Sequence, residues 1–420
     1  MLKKIILHEM LLNLVSFRFL LIVSLFVVMC FSGLIVSIDS YNVAQKEYTE
    51  IAAVPENIGS HSMAIPPNPL GAFAEGTDKS SAVEVVTDIL LYDFMVKVLG
   101  ESDVSLRLSA FDALDMNFVV KVILSLGAIL ITFASVSGER FHGTLKLASA
   151  SGASRKNLIL GKLIASFICL SVPLIICTII SCLILALNDM LSTSMDIVRV
   201  CLFMLFSMVY ILFFLLVGLV ISISTKRPQE SLITGVLCWL VLVFILPAVI
   251  PQLSKAFVRL PSARAMEQAR AFKFYAAIFE RDNSLNPPRS RDVLMQLNDG
   301  FDAVWEENRN QLANQARINR WLAMLSPSDI YNNASVEIVG NGVQNAIHAK
   351  KSIVQHIDNL AKDRYKPRDQ RTLPSFTFNR MGFAADSKAA LASIFFLCLE
   401  TIVLLLFAYR KFMSLDLREG

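Results

Sequence analysis

The sequence is short of charge. Only 18% of its 420 residues are Asp, Glu, Lys or Arg, whereas 55% are hydrophobic and the mean hydropathy is +0.56. A soluble domain needs more charge than this to cover its surface, so the composition argues against an ordinary soluble protein. The apolar residues are concentrated in a few long uncharged runs, which is typical of a chain that lies partly in lipid.

The sequence also lacks the common patterns of metal sites and hydrolases. No CxxC pair occurs, and all seven cysteines fall inside the apolar runs, so neither a disulfide framework nor a zinc site is expected. His348 and His356 stand eight residues apart, which is a poor metal-binding spacing, and no GxSxG motif is present. We therefore predict no metal site and no catalytic residues on this chain.

Six runs are long enough to cross a bilayer, whose core needs about 20 apolar residues in a helix. They are residues 19–38, 118–137, 163–187, 200–224, 232–251 and 389–409. The sequence thus predicts an all-α integral membrane protein with six transmembrane helices, the fifth closed by Pro247 and Pro251. A seventh candidate, residues 81–100, carries a charge at every turn, and its spacing predicts an amphipathic helix instead.

The distribution of Lys and Arg predicts how the chain is oriented. Residues 138–162 contain five basic residues and a single acid, whereas residues 188–196 contain two aspartates and no base. Basic loops stay on the cytoplasmic side of the membrane. We therefore expect a multi-pass protein of the bacterial cytoplasmic (inner) membrane, with both termini in the cytoplasm.

This orientation gives a domain organisation of five parts. Residues 1–38 form a cytoplasmic interfacial helix and the first span, and residues 39–116 form an extracytoplasmic segment. Residues 117–251 contain the second to fifth spans, with a cytoplasmic loop at 138–162. Residues 252–388 form an extracytoplasmic domain, which we predict to be mainly helical because apolar residues recur with a 3.6-residue period in 343–360. Residues 389–420 form the sixth span and a cytoplasmic tail.

The loop at 138–162 carries the most informative motif. It reads Gly138-Glu139-Arg140-Phe141-His142-Gly143-Thr144-Leu145-Lys146, then Gly152-Ala153-Ser154-Arg155-Lys156, and finally Gly161-Lys162. This pattern resembles the loop of ABC-2 type permeases, where a Glu-Arg pair precedes Gly-Thr-Leu and a later Ser-Arg leads into Gly-Lys. Weaker matches of single residues extend over most of the chain and point to a subgroup with a large extracytoplasmic domain between the fifth and sixth spans. The turn at 339–342 departs from some members of that subgroup, because a Gly-Thr step is expected there.

The resemblance implies a role for the loop. In that family the segment is a coupling helix that sits in a groove of the ATPase subunit. The residues implied in coupling are Glu139, Arg140, Gly143, Thr144, Leu145, Lys146, Ser154 and Arg155. We expect the Glu139 carboxylate to pair with Arg140 or with a base on the next turn. A second interpretation of the loop remains open, namely that it is basic only because it faces the cytoplasm.

A nucleotide site is missing from the chain. The GxxxxGK[ST] motif, whose backbone amides hold phosphate and whose hydroxyl binds magnesium, does not occur, because Lys162 is followed by Leu163. The resemblance therefore implies that ATP and Mg²⁺ bind a separate ATPase chain, and that this chain holds no cofactor and is not itself an enzyme. Two permease chains, identical or different, would face each other above two ATPase subunits, surrounded by membrane lipid. No nucleic acid partner is expected.

Three functions are compatible with these features. The leading one is a permease that exports or extracts a lipid, a peptide or another amphipathic substrate. The alternative is a mechanotransmitting subunit that drives a periplasmic partner without moving a solute. The third, a membrane-anchored enzyme or sensor, has no visible catalytic constellation to support it.

One ionisable residue stands out within the spans. Glu400 lies near the middle of the sixth run, where a charge costs about 2.5–3.5 kcal/mol on insertion scales. Such a residue should face the bundle interior or a wet cavity. It either lines the substrate pathway or pairs across a dimer, or it is a protonated structural glutamate.

Overall fold

The computed structural model describes residues 2–53, 60–63, 65–76, 83–86, 114–144, 154–191, 193–257, 314, 317–364 and 376–414. Their α-helices are α1 (Leu2–Val15), α2 (Phe17–Ala52), α3 (Met116–Val119), α4 (Ser125–Thr132), α5 (Ser137–Phe141), α6 (Arg155–Leu187), α7 (Ser194–Ser224), α8 (Pro228–Leu240), α9 (Leu246–Phe257), α10 (Pro327–Val339), α11 (Val343–Arg364) and α12 (Phe383–Met413). Two π-helical turns, Val120–Leu124 and Val241–Ile245, join α3 to α4 and α8 to α9, and Pro69–Ala72 forms a 3-10 turn.

Six of the helical stretches are long and apolar enough to cross a membrane. In chain order they are Phe17–Glu50, Met116–Phe141, Arg155–Leu187, Ser194–Ser224, Pro228–Phe257 and Phe383–Met413. Each contains one of the six predicted runs, so the all-α membrane fold is confirmed. Each also extends beyond its run, because a helix satisfies its own backbone hydrogen bonds and does not need to end where the lipid ends.

The predicted end of the fifth span was wrong. Pro247 and Pro251 were expected to close it, yet the helix continues through both to Phe257. Proline is tolerated inside membrane helices because neighbouring groups satisfy the backbone carbonyls that it frees. The first span likewise continues as a helix to Ala52, well past its apolar run.

A short β-hairpin was also not anticipated. The strands β1 (Ser60–Met63) and β2 (Val83–Val86) pair antiparallel, with Ser60 opposite Val86. The helix expected over 81–100 is therefore wrong for 83–86, where three valines favour an extended backbone. Residues 87–100 lie outside the described part of the chain.

The fourth span is the centre of the bundle. In its most apolar window 61% of the residues are buried, compared with 17% in the sixth span and 22% in the fifth. Small residues let the neighbours approach closely, because a Cβ on Gly218 would lie 2.1 Å from Thr132 Oγ1 and one on Gly127 would lie 2.6 Å from Ile22 Cγ2. The fifth and sixth spans expose apolar side chains such as Phe244 and Phe395 on their outer faces.

The bundle has two distinct ends. We call the end with residues 137–144 and 154–162 the loop end, and the other the opposite end. At the loop end, α1 packs along the first turns of α6. At the opposite end, α10 packs among the spans, against α7, α12 and both π-helical turns.

Candidate functional site

A buried lysine connects three elements at the loop end. The Lys162 side chain, on α6, is only 4% exposed, and its Nζ donates to Glu9 Oε1 on α1 and to Glu139 Oε1 on α5, each at 2.6 Å. Glu9 and Glu139 are 17% and 28% exposed. Charge-assisted bonds of this length are the strong class of hydrogen bond, so the lysine fastens the start of the predicted coupling loop to the third span and to the N-terminal helix.

The local sequence explains why these three groups meet. Ser154 caps α6 by accepting a hydrogen bond from the amide of Asn157, which starts the helix about two turns before Lys162. Gly161 lets α1 approach α6, since a Cβ there would lie 2.6 Å from Ile5 Cγ2. Glu9 follows Ile5 by one turn of α1 and is thereby brought to the lysine.

The fourth span holds α5, and with it Glu139, in place. The second span is interrupted after Thr132, and Ser222 Oγ accepts hydrogen bonds from the amides of Val136 and Ser137, both at 3.0 Å. These amides lie at the start of a helix, where no carbonyl of the same helix can accept from them. The Ser222 side chain of the fourth span thus supports the first turn of the predicted coupling segment.

The remaining predicted coupling residues lie around this cluster. Arg140 is half-buried, whereas Gly143 and Thr144 are exposed, and Thr144 Oγ1 donates to the Glu139 carbonyl at 3.3 Å. Gly143 has a φ of +72°, a left-handed conformation that glycine adopts readily. Leu145 and Lys146, also predicted to couple, lie outside the described residues.

Arg155 connects the loop end to the sixth span. Its Nη1 donates to the carbonyl of Met413 at 3.1 Å, at the end of α12. A guanidinium is favourable there, because the last carbonyls of a helix carry partial negative charge. Two neighbouring residues thus have different contacts. Ser154 caps the start of the third span, and Arg155 bonds the end of the sixth.

The pairing of Glu139 differs from expectation. Among the described residues, which end at Thr144 on this side of the loop, Lys162 of the next span bonds its Oε1 and Arg140 does not. The loop motif includes Gly161-Lys162, but the sequence alone assigns no role to Lys162 or to Glu9. A signal was available, because Glu9 is the only acid in the first 38 residues and a lone charge beside a span usually has a partner.

The electrostatic balance of the cluster is uneven. Two carboxylates share one ammonium group, and the second oxygen of Glu139, Oε2, is buried without a hydrogen-bond partner among the described residues. Removing the lysine charge would leave the carboxylates facing each other at short range. The position of the loop therefore depends on one cation.

Glu400, the ionisable residue within the sixth span, has an intermediate exposure. It is partly buried on α12, near the buried residues Leu397 and Thr401. Within the described part of the chain, its Oε2 is buried and has no hydrogen-bond partner. A carboxyl group in this setting is either protonated or in contact with something beyond the described residues.

At the opposite end, a buried ion pair joins the fourth and sixth spans. Arg199 Nη2 and Asp386 Oδ2 are 2.6 Å apart, with side chains 10% and 0% exposed. Arg199 Nη1 also donates to the carbonyl of Ile338 at 3.0 Å, and Asn345 Nδ2 donates to Asp386 Oδ1 at 2.9 Å. These bonds hold the ends of two spans, α10 and α11 together.

The turn at 339–342 lies at the centre of this opposite-end junction. Gly340 has a φ of +86° and ends α10, as glycine commonly does at helix ends. Asn341 Nδ2 donates to the carbonyl of Ala74 at 2.7 Å, and Asn68 Nδ2 donates to the carbonyl of Val339 at 3.1 Å. The turn that departs from the subgroup pattern thus joins residues 65–76 to the end of α10.

The fold and these clusters define a class of protein: a helical membrane protein with six spans among its described residues, linked at the opposite end by a buried ion pair and at the loop end by a partly buried one. Residues 4–417 match the profile of the family described as ABC-2 family transporter protein. The chain therefore belongs to the ABC-2 transporter family and is a membrane component of a transporter. A comparison with curated proteins finds no match to this chain.

Proposed function

We propose that this chain is the permease subunit of an ATP-driven ABC transporter of the bacterial cytoplasmic membrane. It exports or extracts an amphipathic substrate, such as a lipid or a peptide. Two permease chains assemble with two separate ATPase subunits, which bind the ATP and Mg²⁺. The chain has both termini in the cytoplasm and belongs to the subgroup with an extracytoplasmic domain between the fifth and sixth spans.

The observation that carries this proposal is the Lys162 cluster. A segment that transmits force must be attached to what it moves, and Glu139 is attached to the third span through Lys162 at 2.6 Å. Glu9 extends the attachment to α1. A loop that was basic only for reasons of topology would need no such buried connection to the spans.

Force on the loop would then reach the spans by two routes. Through Lys162 it acts on the third span and α1, and through Arg155 it acts on the end of the sixth span. Closure of the ATPase dimer on ATP pushes the exposed residues 141–144, and the connected helices respond as one unit. This is a two-state device that both the nucleotide and the substrate can bias.

Cross-linking to the ATPase subunit tests the proposal. Phe141 is 61% exposed at the loop end, so we expect Phe141→Cys carrying a short bifunctional reagent to link to a co-expressed ATPase. Asn188→Cys is the matched control, because Asn188 is exposed at the opposite end. Links formed equally from both positions, or from neither in a complex that hydrolyses ATP, would contradict the proposed coupling.

A mechanical role is the second candidate, and the opposite-end junction favours it. The Arg199–Asp386 pair and the Asn341 bonds connect the fourth and sixth spans to residues 65–76 and to α11. Motion of the spans would therefore move the segments beyond the membrane. ATP-dependent translocation of a solute by the reconstituted complex would exclude a purely mechanical function.

Glu400 is proposed as a residue of the substrate pathway. Its carboxyl group is partly buried, and the outer side of its helix exposes large apolar residues such as Phe395 and Leu399. A polar group between a packed face and an open face can contact an amphipathic substrate or a second permease chain.

A further inference from the structure

Helix α1 and the first span meet at Ser16, which we call the elbow. The Ser16 hydroxyl donates to the carbonyl of Asn13 at 2.7 Å and accepts from the amide of Phe19 at 3.3 Å. The Asn13 side chain donates in turn to Ser166 Oγ of α6 at 3.4 Å. Since Ser166 lies one turn beyond Lys162, the elbow is attached to the third span next to the loop-end cluster.

Arg18 lies just past the elbow, at the loop end of the first span. Its Cζ is 4.7 Å from the centre of the Phe133 ring on the second span. One turn later, Ile22 packs against Gly127, so the first two spans run antiparallel. Both Arg18 and Phe133 belong to stretches that are apolar enough to cross a membrane. The guanidinium therefore lies where the spans begin, and not out in the loop.

The surroundings of Arg18 are apolar and exposed. Val15 and Phe17 are 85% and 76% exposed, and the Arg18 side chain is exposed beside them. Leu21 and Leu25 follow Arg18 by three and seven residues, which places them on the same face of the helix, and both are exposed. On a helix that crosses a membrane, exposed side chains of this kind contact acyl chains. Arg18 therefore stands at the end of a lipid-facing apolar stripe.

The Arg18 guanidinium has no acceptor within the part of the chain that the structure describes. Its one described contact is the Phe133 ring, which has no lone pair to offer to five N–H donors. The acids of the loop-end cluster, Glu9 and Glu139, both bond Lys162. A cation at the edge of the lipid layer needs a counter-charge, and lipid headgroups supply one at this level.

We propose that Arg18 binds the phosphate of a phospholipid in the leaflet at the loop end, with the acyl chains of that lipid along Leu21 and Leu25. A guanidinium matches a phosphate geometrically and forms two parallel hydrogen bonds with it. An anionic phospholipid such as phosphatidylglycerol is preferred, because its headgroup carries no ammonium group that competes for the phosphate.

The bound lipid stabilises the loop end of the bundle. It fixes Arg18, and the elbow connects this point to α1 and to the third span through Asn13 and Ser166. The site goes beyond the proposed transport function, because it requires only that the chain lies in a membrane.

Native mass spectrometry of the full chain tests the site. The detergent-purified protein is titrated with dioctanoyl phosphatidylglycerol, and we expect Arg18→Gln to weaken the tightest lipid-binding step at least tenfold. Arg227→Gln is the matched control, because Arg227 is also exposed at the loop end and its loss changes the net charge equally. Equal weakening by both substitutions would mean general attraction to a basic end and would overturn the site. Unchanged binding by Arg18→Gln would overturn it as well.

Two other ligands separate the lipid from other sources of phosphate. Inorganic phosphate at the same concentration should not compete with phosphatidylglycerol, since it has no acyl chain to contact Leu21 and Leu25. Competition as strong as that of unlabelled phosphatidylglycerol would overturn the lipid site. Dioctanoyl phosphatidylcholine should bind more weakly, and equal binding would overturn the preference for an anionic headgroup.

A measurement on the unmodified chain does not depend on the folding of a variant. Phosphatidylglycerol with a diazirine near the top of one acyl chain should cross-link mainly within residues 17–25, and an excess of unlabelled phosphatidylglycerol should suppress these links. Links spread evenly over the six spans would overturn the site. Loss of pairing between two permease chains in Arg18→Gln, with lipid binding unchanged, would assign Arg18 to a second copy and would also overturn it.

Discussion

Replacing Asp386 with alanine should destabilise the opposite end strongly. The substitution removes the carboxylate 2.6 Å from Arg199 Nη2 and leaves a guanidinium buried with only the Ile338 carbonyl as its remaining described acceptor. Breaking a buried ion pair by removing one partner typically costs about 3–5 kcal/mol. Asn345 loses an acceptor too, but its Nδ2 retains the Gly340 carbonyl, so we expect little extra loss from it.

This loss is large on the scale of folding equilibria. At about 1.4 kcal/mol for each factor of ten, it lowers the ratio of folded to unfolded protein by roughly a hundredfold to several thousandfold. The assay is reversible unfolding in mixed lipid–detergent micelles, followed by helix content. Expression in the membrane gives a second readout.

The double variant R199M/D386L provides the control. Replacing both partners removes the uncompensated charge, and such swaps are often nearly neutral. Only the Ile338 carbonyl then loses a donor, at about 1–3 kcal/mol. We therefore expect the double variant to be more stable than D386A. The reasoning is refuted if D386A costs less than the double variant, because the pair would then not be a buried charge pair in the membrane.

Further predictions concern the loop end, the turn and the α10 helix. Lys162→Met should lower the rate of ATP hydrolysis by the assembled complex several-fold relative to Lys162→Arg, because arginine keeps a positive charge between the two carboxylates. Equal hydrolysis rates for the two variants would contradict the coupling role. Gly340→Ala should cost about 1–2 kcal/mol in unfolding, because φ is +86° and a Cβ would lie 2.8 Å from a guanidinium nitrogen. Gly382→Ala, with open space around it and a φ of −69°, should cost less than Gly340→Ala, since it only weakens the N-cap of α12. Burial raises the pKa of Glu337, so the free energy of unfolding should fall as pH rises through that raised pKa. Glu337→Gln should weaken the dependence of this free energy on pH. An unchanged pH dependence would argue that Glu337 is not the group responsible. Glu400→Gln should lower substrate transport at normal expression, and full transport would remove its proposed role.

The six spans could be predicted from the sequence because the requirement is local. A run of about 20 apolar residues has to form a helix in lipid, whatever its neighbours are. The same holds for α11, whose apolar period lies within one segment. The predictions were wrong where the local sequence pattern was weak. Residues 83–86 form a strand and not a helix, and the fifth span continues past Pro251.

The partners of the charged residues could not be predicted in this way. Lys162 bonds residues 153 and 23 positions away, and Arg199 bonds Asp386 across 187 positions. Which of many carboxylates reaches a given cation depends on the tilt and register of several helices. The loop motif identified Glu139, but its partner Lys162 lies in the next span and not in the turn around Arg140.

The sequence by itself therefore determined the class of protein, its six spans and the segment that carries the family motif, because each of these depends on residues close together in the chain. Only the tertiary structure decided that α10 lies among the spans and that both π-helical turns pack against it. The tertiary structure also decided that Lys162 connects helices at the loop end and that Arg199 connects helices at the opposite end. The physical reason is that these features are set by packing, in which residues more than a hundred positions apart compete for the same contacts.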